Sequence, residues 1–162
     1  MLTKPEIKQI LFATDLSENA NRALSYAASL ADAYGASITV LHVLEKLPPQ
    51  AEQMLVAYLG YSDVDELKQA NLADLINQIK IHIEQFCGDT AQEFPECRFI
   101  FHNTIVEPGK AADRILHHTS SDSYDALVIG SRGHGSIQEA LMGGTANKVL
   151  HKCSIPVFVV PL

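Results

Sequence analysis

No stretch of this sequence is apolar for long enough to cross a membrane, and its first residues, MLTKPEIKQ, lack the apolar core of a secretory leader. The expectation is a cytoplasmic protein with no membrane partner. Basic residues are scarce: 12 Lys and Arg stand against 19 Asp and Glu, a formal net charge of −7. That balance argues against general affinity for nucleic acid or an anionic lipid surface. It leaves room for a local anion site built from backbone N–H groups. Cysteine is also rare. Cys87, Cys97 and Cys153 are odd in number and no two have metal-ligand spacing, so they read as reduced, partly buried thiols. The seven histidines, His117 and His118 side by side among them, form no H-E-x-x-H or similar pattern, so no metal ligands are assigned. Neither Ser131 nor Ser136 sits in a G-x-S-x-G elbow, and no catalytic residue is assigned.

What is present suits one domain spanning residues 1–162 with a sizeable core, since 47% of residues are hydrophobic and 19% charged. Residues 7–14, IKQILFAT, read as a buried first strand. Ser17 is a good N-cap for a helix whose Ala20, Ala23, Leu24, Ala27, Leu30, Ala31 and Tyr34 recur at helical spacing, and Gly35 ends it. Residues 36–44 form a second strand, apolar on both faces, as parallel sheets covered by helices require. His42 within it reads as a core or crevice histidine.

The segment 45–61 holds two prolines and reads as a loop or lid with one short helical piece at most. Ser62 and Asp65 resemble a capping box. Leu72, Leu75, Ile76, Ile79, Ile83 and Phe86 then mark one face of a long helix that Gly88 closes. Residues 97–103 form a third strand, and Pro108 opens a helix through Ala111, Ala112, Ile115 and Leu116. Residues 125–130 form a fourth strand, a helix covers about 145–152, and residues 156–160 form a short last strand. Lys148, His151 and Lys152 lie in the last turn of that helix, where cations are favourable. This alternation of strand and helix implies a doubly wound parallel α/β sheet.

Five glycines crowd the stretch from Gly130 to Gly144, GSRGHGSIQEALMGG. Glycine costs conformational entropy, so such a cluster needs a reason. No GK[ST] follows, which excludes a P-loop, and Gln138 breaks the dinucleotide fingerprint. The spacing is G-x2-G-x9-G, formed by Gly130, Gly133 and Gly143. Gly130 falls at the carboxyl end of a strand, where open α/β sheets bind ligands. Gly143 and Gly144 fall at a helix N-terminus, where free N–H groups and the dipole favour an anion. Arg132 and His134 are in reach of phosphates, but such residues in a glycine loop more often face solvent, and they read as solvent-facing residues of the loop.

With GSRGHGSIQEALMGGT, ILFATDLSENANRAL, ITVLHV and CSIPVFVV, the chain resembles the universal stress protein family over nearly its whole length, in the subgroup that binds ATP. The resemblance implies a five-stranded open parallel sheet in the order 3-2-1-4-5 with helices on both faces, Rossmann-like and similar to the adenine nucleotide alpha hydrolases. It implies ATP, or ADP or AMP, with Mg²⁺ or Mn²⁺ bound through the phosphates. Ala13, Thr14 and Asp15 then fall where the family contacts adenine, ribose and the metal region, and Val43 falls at the adenine pocket. Ile129, Gly130 and Gly133 border ribose and phosphates, and Gly143, Gly144, Thr145 and Ala146 offer N–H or hydroxyl groups to the phosphates.

Two residues depart from the family. Gly144 stands where Ser or Thr is expected, with Thr145 one place late. Losing one hydrogen bond to a charged acceptor costs about 1.5–3 kcal/mol, enough to weaken ATP binding or favour ADP or AMP. Val106 stands where the family often has Gly, and its bulk is expected to crowd the ribose.

The last strand is short, apolar and at an expected sheet edge, which invites pairing. In the family this strand pairs with its copy, so a homodimer through Val157–Val160 is expected. The leading functional reading is a nucleotide-dependent sensor or regulator of the stress response. Beside it stand a slow ATP hydrolase or nucleotidyl transferase on the same scaffold, with Asp15 orienting a metal-bound water, and a dimeric interaction protein with a vestigial site.

Overall fold

The computed structural model describes residues 1–17, 20–45, 49–93, 95, 100–121, 123–133 and 142–161. Along the chain run β1 (Gln9–Thr14), α1 (Ala20–Tyr34), β2 (Ser37–Leu44), α2 (Pro49–Leu59), α3 (Val64–Gln69), α4 (Leu72–Glu93), β3 (Ile100–Pro108), α5 (Ala111–Ser120), β4 (Ala126–Gly130), α6 (Gly144–Lys152) and β5 (Val157–Val160). The five strands make one sheet in the order β3-β2-β1-β4-β5, parallel throughout. This is the order expected from the sequence. The chain builds outward from β1 to β3, then returns to add β4 and β5 on the other side. The switch point lies between β1 and β4, where such sheets bind ligands.

Strand alternation divides the core in two. Ile10, Phe12, Ile38, Val40, Val128 and Val160 face α1, α2 and α4. Leu11, Ala13, Leu41, Val43, Leu127 and Ile129 face α5 and α6. Both faces are covered, which is why these strands read as continuous apolar runs. The alanines of α1 sit buried against the first face, where small side chains let the helix approach closely. At its end Gly35 takes φ 65°, and Ala36 N–H reaches Ala31 C=O at 2.8 Å, the Schellman arrangement.

Several boundaries differ from the sequence reading. The segment 45–61 is largely helix α2, with Pro49 at the first position, where its missing N–H is not needed. The cap of α3 is shifted by one residue: Asp63 Oδ1 accepts from Glu66 N–H at 2.8 Å, and Glu66 Oε2 accepts from Ser62 N–H at 2.6 Å. Gly88 does not close α4, which continues to Glu93. Pro108 ends β3 rather than opening a helix. Gly109, at φ 144°, makes the turn, and Glu45 Oε1 accepts from Ala111 N–H at 2.5 Å to cap α5 from another strand's end. Ser17 is no side-chain cap: its C=O accepts from Ala20 N–H at 2.9 Å while its Oγ is buried without a partner among the described residues. The expected start of the third strand, including Cys97, lies outside the described residues, as do His134, Gly135, Ser136 and Gln138 of the glycine stretch.

Candidate functional site

The carboxyl ends of β1 and β4 lie side by side, with Ala13 opposite Ile129 in register. Ala13, Val43, Ile129 and Ala146 share one buried cluster, so four of the expected site residues meet on the α5–α6 face. Thr14 does not join them. Strand alternation puts it on the other face, where its Oγ1 accepts from Leu16 N–H at 3.1 Å and its C=O meets His42 Nδ1 at 2.9 Å. His42 is the buried crevice histidine the sequence suggested. Val106 likewise packs toward the α1–α4 face, so its bulk does not crowd the Val43 side of the sheet.

Past the end of β1 the backbone turns sharply. Leu16 adopts φ 63°, a left-handed conformation that a branched side chain adopts at a cost of about 1–3 kcal/mol. Asp15 Oδ1 accepts from Ser17 N–H at 3.0 Å, closing an Asx-type turn. Such strain at a strand tip is held only where surrounding contacts demand it, and one of these is Gly133. A Cβ on Gly133 would lie 2.5 Å from Asp15 Oδ2. The glycine therefore lets the loop after β4 close onto the Asp15 carboxylate.

The same loop is fastened at two more points. Ser131 N–H donates to Val160 C=O at 2.8 Å, and Gly143 N–H donates to Ser131 C=O at 2.7 Å. The expected role of Gly143 as a phosphate donor thus needs correction, because its amide is already used within the protein. The next three N–H groups differ. Gly144, Thr145 and Ala146 form the first turn of α6, which has no side-chain cap, and no acceptor for them occurs among the described residues. A Cβ on Gly144 would meet nothing within 4 Å. Three unpaired N–H groups at the positive end of a helix dipole suit an anion.

Of two further features, the first departs from a solvent-facing expectation and the second went unread in the sequence. Arg132 is half-buried, and its Nε is enclosed without a partner among the described residues. Its neighbours Ser131 and Gly133 are the residues that touch Gly143 and Asp15. Glu107, in register with Val43, binds Arg114 Nε at 2.8 Å and Nη2 at 3.0 Å, and His118 Nε2 at 2.8 Å. The Arg114 guanidinium, helped by His118 and opposed by burial, holds the Glu107 carboxyl below its usual range. Among the described residues, no group of three or more His, Cys, Asp and Glu gathers to hold a metal ion, and no helix is long and apolar enough to cross a membrane.

Comparison with known proteins accords with this fold. The sequence model of the universal stress protein family matches residues 6–161. Universal stress protein MJ0577 from Methanocaldococcus jannaschii is 24% identical over 153 residues, covering 94% of each chain. Its solved structure superposes with a TM-score of 0.68 over 98% of both chains. The universal stress protein UspA from Lactobacillus plantarum is similar at TM-score 0.70 and 19% identity, over 97% of this chain and 99% of that one. A family protein from Arabidopsis thaliana, solved with AMP bound, is similar at TM-score 0.56 and 15% identity, over 95% and 91% of the two chains. Another universal stress protein, solved in complex with cAMP, is similar at TM-score 0.57 and 16% identity, over 97% and 98%.

Proposed function

The chain belongs to the universal stress protein family, and from that premise we propose that it binds an adenine nucleotide, ATP first among them, and serves as a nucleotide-dependent regulator in the stress response. The observation that carries the proposal is the row of N–H groups on Gly144, Thr145 and Ala146, which have no acceptor among the described residues, beside a loop that closes on Asp15. The phosphates lie against these donors and the Arg132 cation. The base and ribose lie over Ala13, Val43, Ile129 and Gly130, where the sheet's carboxyl edge is built of small and apolar residues. AMP and cAMP in two structural neighbours support an adenine ligand.

Asp15 needs a separate account, because a carboxylate beside a phosphate chain repels it. Its place is against ribose hydroxyls or against a Mg²⁺ or Mn²⁺ that arrives on the phosphates. The Gly144 substitution removes a hydroxyl yet keeps an N–H, so binding is retained at reduced strength. Residues 157–160 form the sheet's edge, and a homodimer pairs these strands across a two-fold axis.

Isothermal titration of ATP, ADP and AMP with Mg²⁺ tests the nucleotide reading. The expected result is saturable heat for at least one nucleotide, weakened by Arg132→Ala. No heat at millimolar nucleotide refutes it. Light scattering on the parent and on Val159→Lys tests the dimer, which the variant is expected to split.

A further inference from the structure

A cavity of about 430 Å³ lies on the sheet face opposite the proposed nucleotide site, between α1, α2, α4 and the ends of β1 and β2. Its size is that of a small-molecule pocket. Phe12, Val40 and Leu24 line its inner wall, while Leu55, Ile83 and Cys87 close it from the helices. All six are buried. Asn21, Met54 and Ala57, which are exposed, mark its opening between α1 and α2.

Among the described residues, the polar lining gathers at the strand tips, where Thr14, Asp15, Ser17 and His42 stand together, with Asn21 at the opening and Tyr58 on the α2 wall. Ser17 Oγ is enclosed and lacks a partner among the described residues. A buried hydroxyl in that state is costly unless something hydrogen-bonds to it. Among the described residues, the remaining walls carry no charged group. Burial pushes the Cys87 thiol up to about 12, so it stays protonated, and burial likewise raises the Tyr58 hydroxyl. Asp15, beside Ser17, disfavours a second anion, and the apolar walls disfavour a cation.

We propose that this cavity binds an uncharged, mainly apolar small molecule of on the order of a dozen non-hydrogen atoms, at roughly 30 Å³ for each water-sized group, with one hydrogen-bonding head group. The head lies against Ser17 and its neighbours at the strand tips, and the apolar body lies between Phe12, Leu55 and Ile83. The strand wall of this cavity differs from that of the nucleotide site, because even-numbered residues of β1 and β2 build one and odd-numbered residues the other, and the two meet at Asp15 in the turn after β1.

The neutral dye N-phenylnaphthylamine, titrated into the full chain and followed by fluorescence, tests the proposal. Saturable enhancement is expected, with displacement by decanol but not by decanoate. Saturating ATP is expected to leave the dye isotherm within about twofold of its original midpoint. Cys87→Phe fills the cavity from inside and Ala57→Trp blocks its opening. Each is expected to weaken the dye by about tenfold or more, with thermal unfolding showing that the variant is folded. Ala57 is exposed, so that variant remains informative if Cys87→Phe does not fold. Absence of saturable binding, equal displacement by decanoate, competitive displacement by ATP, or unchanged binding to folded Ala57→Trp overturns the proposal.

Discussion

Replacing Gly133 with alanine probes the contact on which the loop after β4 depends. The new methyl carbon would sit 2.5 Å from Asp15 Oδ2 and 3.3 Å from its Cγ. The shorter distance is about 1 Å inside ordinary van der Waals contact. Two escapes are open. Asp15 can rotate away, giving up the 3.0 Å bond from Ser17 N–H. Alternatively the loop can retreat, pulling Ser131 C=O from Gly143 N–H, now at 2.7 Å. The first bond, to an ionised acceptor, is worth about 1.5–3 kcal/mol, and the second, between neutral groups, about 0.5–1.5 kcal/mol. At about 2–4 °C per kcal/mol for a domain of this size, the melting temperature falls by about 1–12 °C. Nucleotide affinity, on the proposed reading, falls by about 10–100-fold. Calorimetric unfolding and nucleotide titration read the two effects. Gly144→Ala is the control. It adds the same methyl group where nothing lies within 4 Å, at the head of a helix that alanine favours by about 0.5–1 kcal/mol, so stability holds or rises. Removing the obstruction gives the sharper test. In an Asp15→Ala background, Gly133→Ala should cost almost nothing, a non-additive pair. Additive losses, or a Gly133→Ala protein within about 0.5 kcal/mol of the parent, refute the contact as the reason for the glycine.

Other consequences follow from the hydrogen bonds and titrating groups. Asp125 Oδ2 accepts from both Lys8 N–H at 2.8 Å and Gln9 N–H at 2.9 Å, pinning the start of β1 to β4. Asp125→Ala is expected to cost about 2–3 kcal/mol in urea unfolding, and a loss under about 0.5 kcal/mol refutes the pin. Glu107 has a folded pKa below its unfolded value, so its contribution is full above about pH 5 and is lost as pH falls through the lowered value. Glu107→Gln should therefore flatten the acid side of the stability–pH curve, and an unchanged slope argues against the Arg114–His118 cluster. With its thiol near 12, Cys87 should alkylate roughly a thousandfold slower than an ordinary cysteine at pH 8, and after Cys153, until the chain is unfolded. Peptide mass mapping reads the order, and early labelling of Cys87 refutes its burial.

The strands were legible because burial on both faces leaves a simple mark, a short apolar run. Helix α1 was legible because its alanines keep helical spacing and Gly35 follows. The misreadings came from residues whose meaning depends on φ. Gly35 stops a helix because it takes φ 65°, whereas Gly88 keeps helical geometry, and the letters alone do not distinguish them. Pro49 looked like a loop residue yet occupies a helix start. Pro108 looked like a helix start yet ends a strand, because Glu45, far away in sequence, caps α5 instead. The spacing of Gly130, Gly133 and Gly143 was visible from sequence. What each glycine does was not, since Asp15 meets Gly133 only after β1 and β4 pair.

The parity of the strands carries most of the functional argument. Ala13 and Thr14 are adjacent, as are His42 and Val43, and a linear motif treats neighbours as one site. A strand sends them to opposite faces. Ala13 and Val43 therefore meet Ile129 and Ala146 beneath α5 and α6, while Thr14 and His42 meet Phe12, Val40 and the cavity beneath α1, α2 and α4. The turn at Asp15 and Leu16 touches both faces. Its carboxylate meets the glycine loop, and Ser17, two residues on, lines the cavity. Coupling between the two sites has a route through that turn, whose left-handed Leu16 packs against the α1–α4 core.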